Sequence, residues 1–264
     1  MRGRVLIVAG SDSGGGAGIQ ADIKTVTMLD AFAMTAVTAL TAQNTTGVFG
    51  ILPIAPAFIR QQMEVVLDDL GADAVKTGML HDAAVIETVA AVLRERAAAL
   101  PLVLDPVMVA KGGARLIDPG ALDALKSRLV PLATVLTPNL PEAEILGGRT
   151  IADVAGMKAA AQAMLPLGCG AVLLKGGHLP GDTVCDVLAT ADGIRVWESP
   201  RLATPHTHGT GCTLASAIAA GLAQGCDVER SVERARTYVQ RAIAGAPGLG
   251  HGHGPLDHAH PLRR

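Results

Sequence analysis

Short apolar runs alternate with longer Ala- and Leu-rich stretches from the first residues onward. The short runs have strand length, and the longer ones repeat their apolar positions at helical spacing. Candidate buried strands are Val5 to Ala9, Ala33 to Thr41, Ala74 to Thr77, Leu102 to Leu104, Thr134 to Leu136 and Ala171 to Leu174, each closed by a turn or polar residue. Helical patterns fill Ala57 to Leu70, Ala83 to Ala99, Ala121 to Leu129, Val154 to Leu165 and Thr213 to Ala223. The last is small and apolar nearly all round, as a buried helix is. Val184 to Trp197, split by Asp192-Gly193, reads as an antiparallel hairpin, because Asp-Gly favours a tight turn. Strand and helix in alternation build βαβ units. The pattern therefore predicts an α/β fold with a mostly parallel central sheet and a small antiparallel element.

No repeat and no linker divides the 264 residues, so a single domain over 1–264 is expected, ending in an irregular, partly mobile Gly/His-rich tail at 247–264. Hydrophobic residues make up 49%, enough for a large core, while Trp 1, Tyr 1 and Phe 3 leave little to stack on bases. A net charge of -2 without a basic block lacks the clustered Lys and Arg that phosphate neutralisation requires, which excludes nucleic acid as a partner. Cys169, Cys185, Cys212 and Cys226 are widely spaced and form no C-x-x-C pair, so they read as free thiols of a reducing, cytoplasmic protein. Ser11-Asp12-Ser13 cuts the first apolar run short of a secretory core. No uninterrupted apolar stretch reaches the roughly 18 residues of a membrane span.

Ligands of open parallel sheets sit outside the carboxyl ends of strands. The residues there are Gly10-Ser11-Asp12, Gln43-Asn44, Lys76-Thr77-Gly78, Asp105-Pro106, Thr137-Pro138-Asn139 and Lys175-Gly176-Gly177. The sharpest local signal is His208-Gly209-Thr210-Gly211-Cys212-Thr213, a Gly-rich turn entering the buried helix. Small residues let its N–H groups converge on an anion at a helix N-terminus. A thiol at that end is expected to have a lowered pKa, so Cys212 is a candidate proton acceptor, against the plainer reading of a small buried cysteine. His206 and His208 are alternative bases.

Gly10 to Gly18 contains the spacing Gly16-x-Gly18-x-x-Ala21 of a dinucleotide fingerprint. Such a site also wants an acidic residue after the second strand, where this chain has Gln43 and Asn44, and Asp12 would oppose a pyrophosphate. Asp105 and the pair Asn139 and Glu142 offer oxygen ligands suited to Mg²⁺. Asn139 ahead of Leu140-Pro141-Glu142 is equally a helix N-cap. Lys175 faces a cleft as a phosphate partner or a snorkelling strand-end lysine. His251, His253, His258 and His260 in the tail lack the spacing and partners of a zinc site.

Taken in order, these segments resemble the ribokinase-like superfamily and, within it, the hydroxymethylpyrimidine/phosphomethylpyrimidine kinases. The resemblance rests on Ala9-Gly-Ser-Asp-Ser-Gly-Gly-Gly-Ala-Gly-Ile-Gln-Ala-Asp22 with Lys24-Thr25, Thr41-Ala-Gln-Asn-Thr45, Lys76-Thr-Gly-Met79 and Leu104-Asp-Pro-Val-Met108. It continues through Thr137-Pro-Asn-Leu-Pro-Glu142, Leu174-Lys-Gly-Gly-His178, Thr207-His-Gly-Thr-Gly-Cys-Thr213 and Gly252-His-Gly-Pro255, and so spans nearly the whole chain. It implies a three-layer α/β/α sandwich and a homodimeric phosphotransferase. Its activity would use ATP and Mg²⁺ to phosphorylate 4-amino-5-hydroxymethyl-2-methylpyrimidine and then the monophosphate to the diphosphate, in thiamine biosynthesis.

By the same resemblance Gln43 pairs with the aminopyrimidine, and Gly10, Asp12, Ala17, Met79 and Val107 line the substrate pocket. Gly209, Thr210, Gly211 and Cys212 form the anion hole, with Cys212 as catalytic base. Lys175, Asn139 and Thr210 meet the nucleotide, while Asp105 and Glu142 organise Mg²⁺. Sugar kinases of the superfamily carry Asp where this chain has Cys212, which sets a sugar substrate aside. Pyridoxine or pyridoxal kinase and a non-catalytic pyrimidine-binding regulator are the alternatives.

Overall fold

The computed structural model describes residues 1–108, 116–118 and 120–263. The apolar runs become β1 (Arg4–Ala9), β5 (Ala74–Thr77), β6 (Leu102–Leu104), β7 (Val135–Leu136) and β8 (Ala171–Leu174). With β2 (Phe32–Val37), β9 (Thr183–Thr190) and β10 (Gly193–Pro200) they form one eight-stranded sheet in the order β10-β9-β8-β7-β6-β5-β1-β2. The pairings from β2 to β8 are parallel, and β9 runs antiparallel to both β8 and β10. The residues of β5, β6 and β8 are all buried, as strands covered on both faces must be.

Two helical layers supply the cover. The alternation of side chains along β1 sends Leu6 and Val8 to one face and Val5, Ile7 and Ala9 to the other. The first face packs against α2 (Pro56–Asp69), α3 (Ala83–Arg96), α4 (Ala121–Ala124), α5 (Leu140–Gly147) and α6 (Val154–Met164). The second packs against α1 (Gly18–Met28), α7 (Thr210–Ala223) and α8 (Val228–Ala244). The result is the expected three-layer α/β/α sandwich. No helix among the described residues is long and apolar enough to cross a membrane.

The expected strand Ala33 to Thr41 is two strands in different sheets. It breaks at buried Thr38, whose hydroxyl donates to the Met79 carbonyl at 2.6 Å, while its N–H bonds to the Ala9 carbonyl at 3.0 Å. Beyond that corner, β3 (Ala39–Asn44) pairs antiparallel with β4 (Gly47–Pro53) as a separate two-stranded hairpin. No Gly or Pro marks the corner, because a tertiary bond makes it. The expected helix Ala121 to Leu129 is likewise shorter: α4 widens into a π-turn at Leu125–Leu129, followed by a 3-10 turn at Val130–Leu132.

Residues 247–263 carry one short 3-10 turn, His260–Leu262, and are hydrogen-bonded to the rest of the chain. The N–H of His253 donates to the Thr45 carbonyl at the hairpin tip, and Gly254 accepts from the N–H of His208. Leu256, Asp257 and His258 are buried.

Candidate functional site

The strand-end loops and the β3–β4 hairpin frame one candidate site, in which the Ser13 hydroxyl donates to the Gln43 carbonyl at 2.9 Å. Its first wall is the loop between β1 and α1. Asp12 is buried there, and its carboxylate accepts from the N–H groups of Gly14 at 2.8 Å, Gly16 at 3.1 Å and Ala17 at 2.8 Å. The same carboxylate lies 2.8 Å from Nε2 of His208. Burial by itself would raise the Asp12 pKa, but His208 and the loop N–H groups bring it below the ordinary value. Asp12 therefore folds the loop around itself. Asp12, expected among the substrate contacts, thereby occupies loop donors that a dinucleotide pyrophosphate would need.

Above this loop, Nε2 of the Gln43 amide stands 3.3 Å from Nε2 of His208. The shorter, charge-assisted contact decides the imidazole proton: Nε2–H points to Asp12, which leaves the Gln43 amide hydrogens for a ligand. Below lies a small apolar cluster separate from the two main cores, in which Val107 and Ile51 pack on Ala39, Met79 and Leu116. A Cβ on Gly10 would come within 3.2 Å of the Met79 sulfur, so Gly10 and Met79 present one thin wall. Ala17, at the N-cap position of α1, is half-buried. Gly10, Met79 and Val107 are thus brought together, while Gln43 is held beside His208.

The second wall is the Gly-rich turn into α7. Gly209 has φ 81, and a Cβ there would run into the Gly16 carbonyl oxygen, so the two Gly-rich loops pack backbone to backbone. The Thr210 hydroxyl donates to the Thr207 carbonyl at 2.7 Å, which closes the turn and leaves its oxygen lone pairs to accept. Gly211 and Cys212 lie in the first helical turn, where N–H groups have no intrahelical acceptor. A Cβ on Gly211 would sit 3.2 Å from Nζ of Lys175 and 3.7 Å from Oδ2 of Asp105, which brings the third group of residues to the same point.

Nζ of Lys175 bonds Oδ1 of Asp105 at 2.9 Å, and the Thr137 hydroxyl donates to that oxygen at 3.2 Å. Glu142 closes a capping box: its N–H donates to Oδ1 of Asn139 at 2.9 Å, and its Oε2 accepts from the Asn139 N–H at 2.8 Å. Asn139, expected at the nucleotide, commits its side-chain oxygen to the start of α5. Burial pushes the Glu142 carboxyl up to about 7, with Lys175 opposing and Asp105 adding to the rise. Among the described residues no group of three or more His, Cys, Asp or Glu side chains is placed to hold a metal ion by itself.

Cys212 departs from its expected chemistry. Desolvation at the cleft floor pushes its thiol up to about 11, opposed by the Lys76 ammonium and reinforced by Asp22 and Asp105. The helix N-terminus does not overcome that loss of hydration. Of the alternative bases, His208 is committed to Asp12, and His206 packs against Gly254 in the tail. Sequence reasoning set Lys76 among the ligand-facing strand-end residues and gave Asp22 and Ser216 no role; Lys76 is instead fully buried and the three form a hydrogen-bonded group beneath this floor. The available signal was a lysine inside an otherwise apolar strand, which needs a buried partner.

A family model described as phosphomethylpyrimidine kinase matches residues 12–257. The chain is 54% identical over 258 residues to the thiamine biosynthesis bifunctional protein ThiED of Geobacter sulfurreducens, covering 97% of this chain but 52% of that protein, so it spans about half the relative's length. It is 46% identical over 256 residues to the hydroxymethylpyrimidine/phosphomethylpyrimidine kinase of Bacillus subtilis, covering 97% of this chain and 94% of the relative. Among solved structures, the ADP complex of Bacillus subtilis pyridoxal kinase superposes with a TM-score of 0.92 at 38% identity, covering 100% of both chains. The α/β/α fold, together with these matches, is that of a small-molecule kinase. This chain belongs to the phosphomethylpyrimidine kinase family.

Proposed function

We propose that this chain is a cytoplasmic kinase that transfers the γ-phosphoryl group of ATP to the hydroxymethyl oxygen of 4-amino-5-hydroxymethyl-2-methylpyrimidine. It then phosphorylates the monophosphate to the diphosphate, in thiamine biosynthesis. One observation carries the reading: the Gln43 amide and the Met79 wall meet, at one set of strand ends, a Gly-rich helix N-terminus flanked by the Lys175–Asp105 pair.

The ring lies against Gly10, Ala17, Met79 and Val107, and the Gln43 amide both donates to and accepts from the aminopyrimidine edge. The N–H groups of Gly209, Thr210, Gly211 and Cys212 receive the transferring phosphoryl group, where fixed donors and the helix dipole stabilise its charge. The hydroxymethyl oxygen forms the new P–O bond as the bond to the β-phosphate bridge breaks, and ADP leaves. Cys212, as thiolate, takes the hydroxyl proton. With the thiol pushed up to about 11, that thiolate is a minor species at neutral pH, so positioning supplies much of the acceleration.

Asp105 and Glu142 are hard oxygen donors of the kind that hold Mg²⁺ together with waters and nucleotide phosphates. When bound, Mg²⁺ neutralises phosphate charge. Glu142 has both oxygens engaged, at 2.8 Å with the Asn139 N–H and 3.5 Å with the Met108 N–H, so its share in that site runs through water. Lys175 lies by the nucleotide phosphates, and the Thr210 hydroxyl oxygen accepts there. A second copy of the chain is the intended cover for the exposed Leu40, Phe49 and Leu52 of the hairpin, which supports a homodimer testable by sedimentation equilibrium.

The second reading is pyridoxal kinase, supported by the 38% identity and TM-score of 0.92 to the Bacillus subtilis enzyme. The higher identity of 46% to the pyrimidine kinase of the same organism favours the pyrimidine. Mg²⁺-dependent ADP release with hydroxymethylpyrimidine, its monophosphate, pyridoxal and ribose, with products identified by mass, decides between them. Turnover of both pyrimidines is expected, and turnover of pyridoxal alone overturns the proposal. Pyrimidine binding without any turnover would favour a regulator.

A further inference from the structure

Lys76 and Asp22 are both completely buried. Nζ of Lys76, on β5, donates to Oδ1 of Asp22 at 2.9 Å and to Oδ2 at 2.8 Å, and Asp22 lies on α1. The Ser216 hydroxyl, on α7, donates to the same Oδ1 at 2.7 Å. Three elements, the strand β5 and the helices α1 and α7 that share one face of the sheet, are therefore joined at one carboxylate. Ser216 is four residues, one helical turn, beyond Cys212, so the ion pair underlies the turn of α7 that carries the anion loop. A Cβ on Gly78, just past the end of β5, would come to 3.0 Å from Nζ of Lys76, so the chain runs bare of side chain over the ammonium.

Stability alone does not explain this arrangement. Desolvating two charges costs several kcal/mol, and packed apolar residues of similar volume commonly hold a core as well or better. The location does explain it. The charged groups acting on Cys212 come from each surrounding element: Lys76 from β5, Asp22 from α1, Asp105 from the end of β6 and Lys175 from the end of β8. Lys76 is the one of these whose charge is held by a partner that also holds α7.

We propose that Lys76, fixed by Asp22 and Ser216, is a positioning residue for phosphoryl transfer, which seats the first turns of α7 and sets the local charge met by the Cys212 sulfur. The catalytic half of this inference rests on the kinase reading above. The charge on the sulfur does not, because thiol titration is read without turnover.

The experiment compares the parent with Lys76→Met and Asp22→Asn by the rate of iodoacetamide alkylation at Cys212 across pH, followed on the Cys212 peptide by mass. Removing the cation should raise the alkylation midpoint by about one pH unit, and removing the opposing anion should lower it by about one unit. Loosened packing would move both variants the same way. A shared direction, or no shift in either, therefore overturns the proposal. Should Lys76→Met fail to fold, Asp22→Asn is read alone: its midpoint is expected about one unit below the parent's, and an unchanged or raised midpoint overturns the proposal.

In turnover, Lys76→Met is expected to lose about 10²-fold in kcat with KM for the pyrimidine within about threefold, the split of an interaction made in the transition state. Equal loss through KM overturns the positioning role. If the parent itself turns over no pyrimidine, the kinase reading fails, while the two opposed thiol shifts still decide the charge on Cys212.

Discussion

The imidazole of His208 and the carboxylate of Asp12 meet at 2.8 Å although 196 residues of chain separate them. Through this pair the loop after β1 and the loop before α7 become one surface, with Gln43 of the hairpin 3.3 Å from the same imidazole nitrogen. The backbone approach of Gly16 to Gly209 depends on that junction staying closed.

Asp12→Asn should consequently damage binding more than folding. An amide cannot offer two anionic oxygens to the three loop N–H groups and the imidazole, and charge-assisted bonds of this kind carry about 1.5–3 kcal/mol each. A fall of roughly 10- to 100-fold in kcat/KM for the pyrimidine is expected, mainly through KM, in steady-state assays. An unchanged KM would show that the loop holds its shape without the carboxylate.

Cys212 offers a pH test of its proposed role. With the thiol at about 11, the thiolate fraction rises tenfold per pH unit through the neutral and mildly alkaline range. The kcat of the parent should climb with pH from 7 to 9, and Cys212→Ala should lose that climb along with about 10²-fold in rate. Activity within about threefold of the parent in both Cys212→Ser and Cys212→Ala removes the base role, because loss of a general base costs more.

Glu142 should trade stability for function. Its folded-state pKa, about 7, lies above the ordinary carboxyl value of 4.5, so its burial favours folding below about 4.5, and that contribution is lost as pH rises through about 7. Glu142→Gln removes the charge that becomes costly. At pH 8 its melting temperature should exceed that of the parent by about 2–4 °C for each kcal/mol gained. Turnover should fall, and extra Mg²⁺ should recover part of it. A melting temperature below the parent's at pH 8 would contradict the assignment.

The tail has the opposite pH sign. Burial depresses the His258 pKa to about 4, with the Lys24 charge adding to the effect. The unfolded chain takes up this proton near 6.5, so the contribution is complete above that pH and is lost as pH falls towards about 4. Its Nδ1 lies 3.3 Å from the Thr25 hydroxyl, which ties the tail to α1. Urea midpoints should fall between pH 6.5 and 4 in the parent, and His258→Asn should flatten that dependence. Equal slopes for the two proteins would refute the assignment.

Much of this could be read without coordinates. β5, β6 and β8 begin and end where their apolar runs do, because a strand buried on both faces leaves a local signature. The hairpin around Asp192-Gly193 was equally legible, since it depends on residues adjacent in the chain, although its two turn residues are Ala191 and Asp192 and Gly193 already pairs with Thr190. The resemblance named Gln43, Met79, Val107, Asp105, Lys175 and the Gly209–Cys212 loop; Met79 and Val107 share one small cluster, and Lys175, Asp105 and Gly211 lie together.

The remainder was decided at a distance. The corner at Thr38 exists because a hydroxyl reaches the Met79 carbonyl 41 residues away. Asp12 turned inward because His208 came to meet it, and Cys212 lost its expected acidity because desolvation outweighs the Lys76 charge that opposes it. Lys76 gives no local hint of Asp22, 54 residues earlier, or of Ser216 on a third element. Periodicity and turn chemistry act over a few neighbouring residues, so the sequence alone determined the layers, most of the strands and the family. Desolvation and long-range hydrogen bonds exist only once those layers close, and they decided which of the polar residues face the cleft and which hold it in shape.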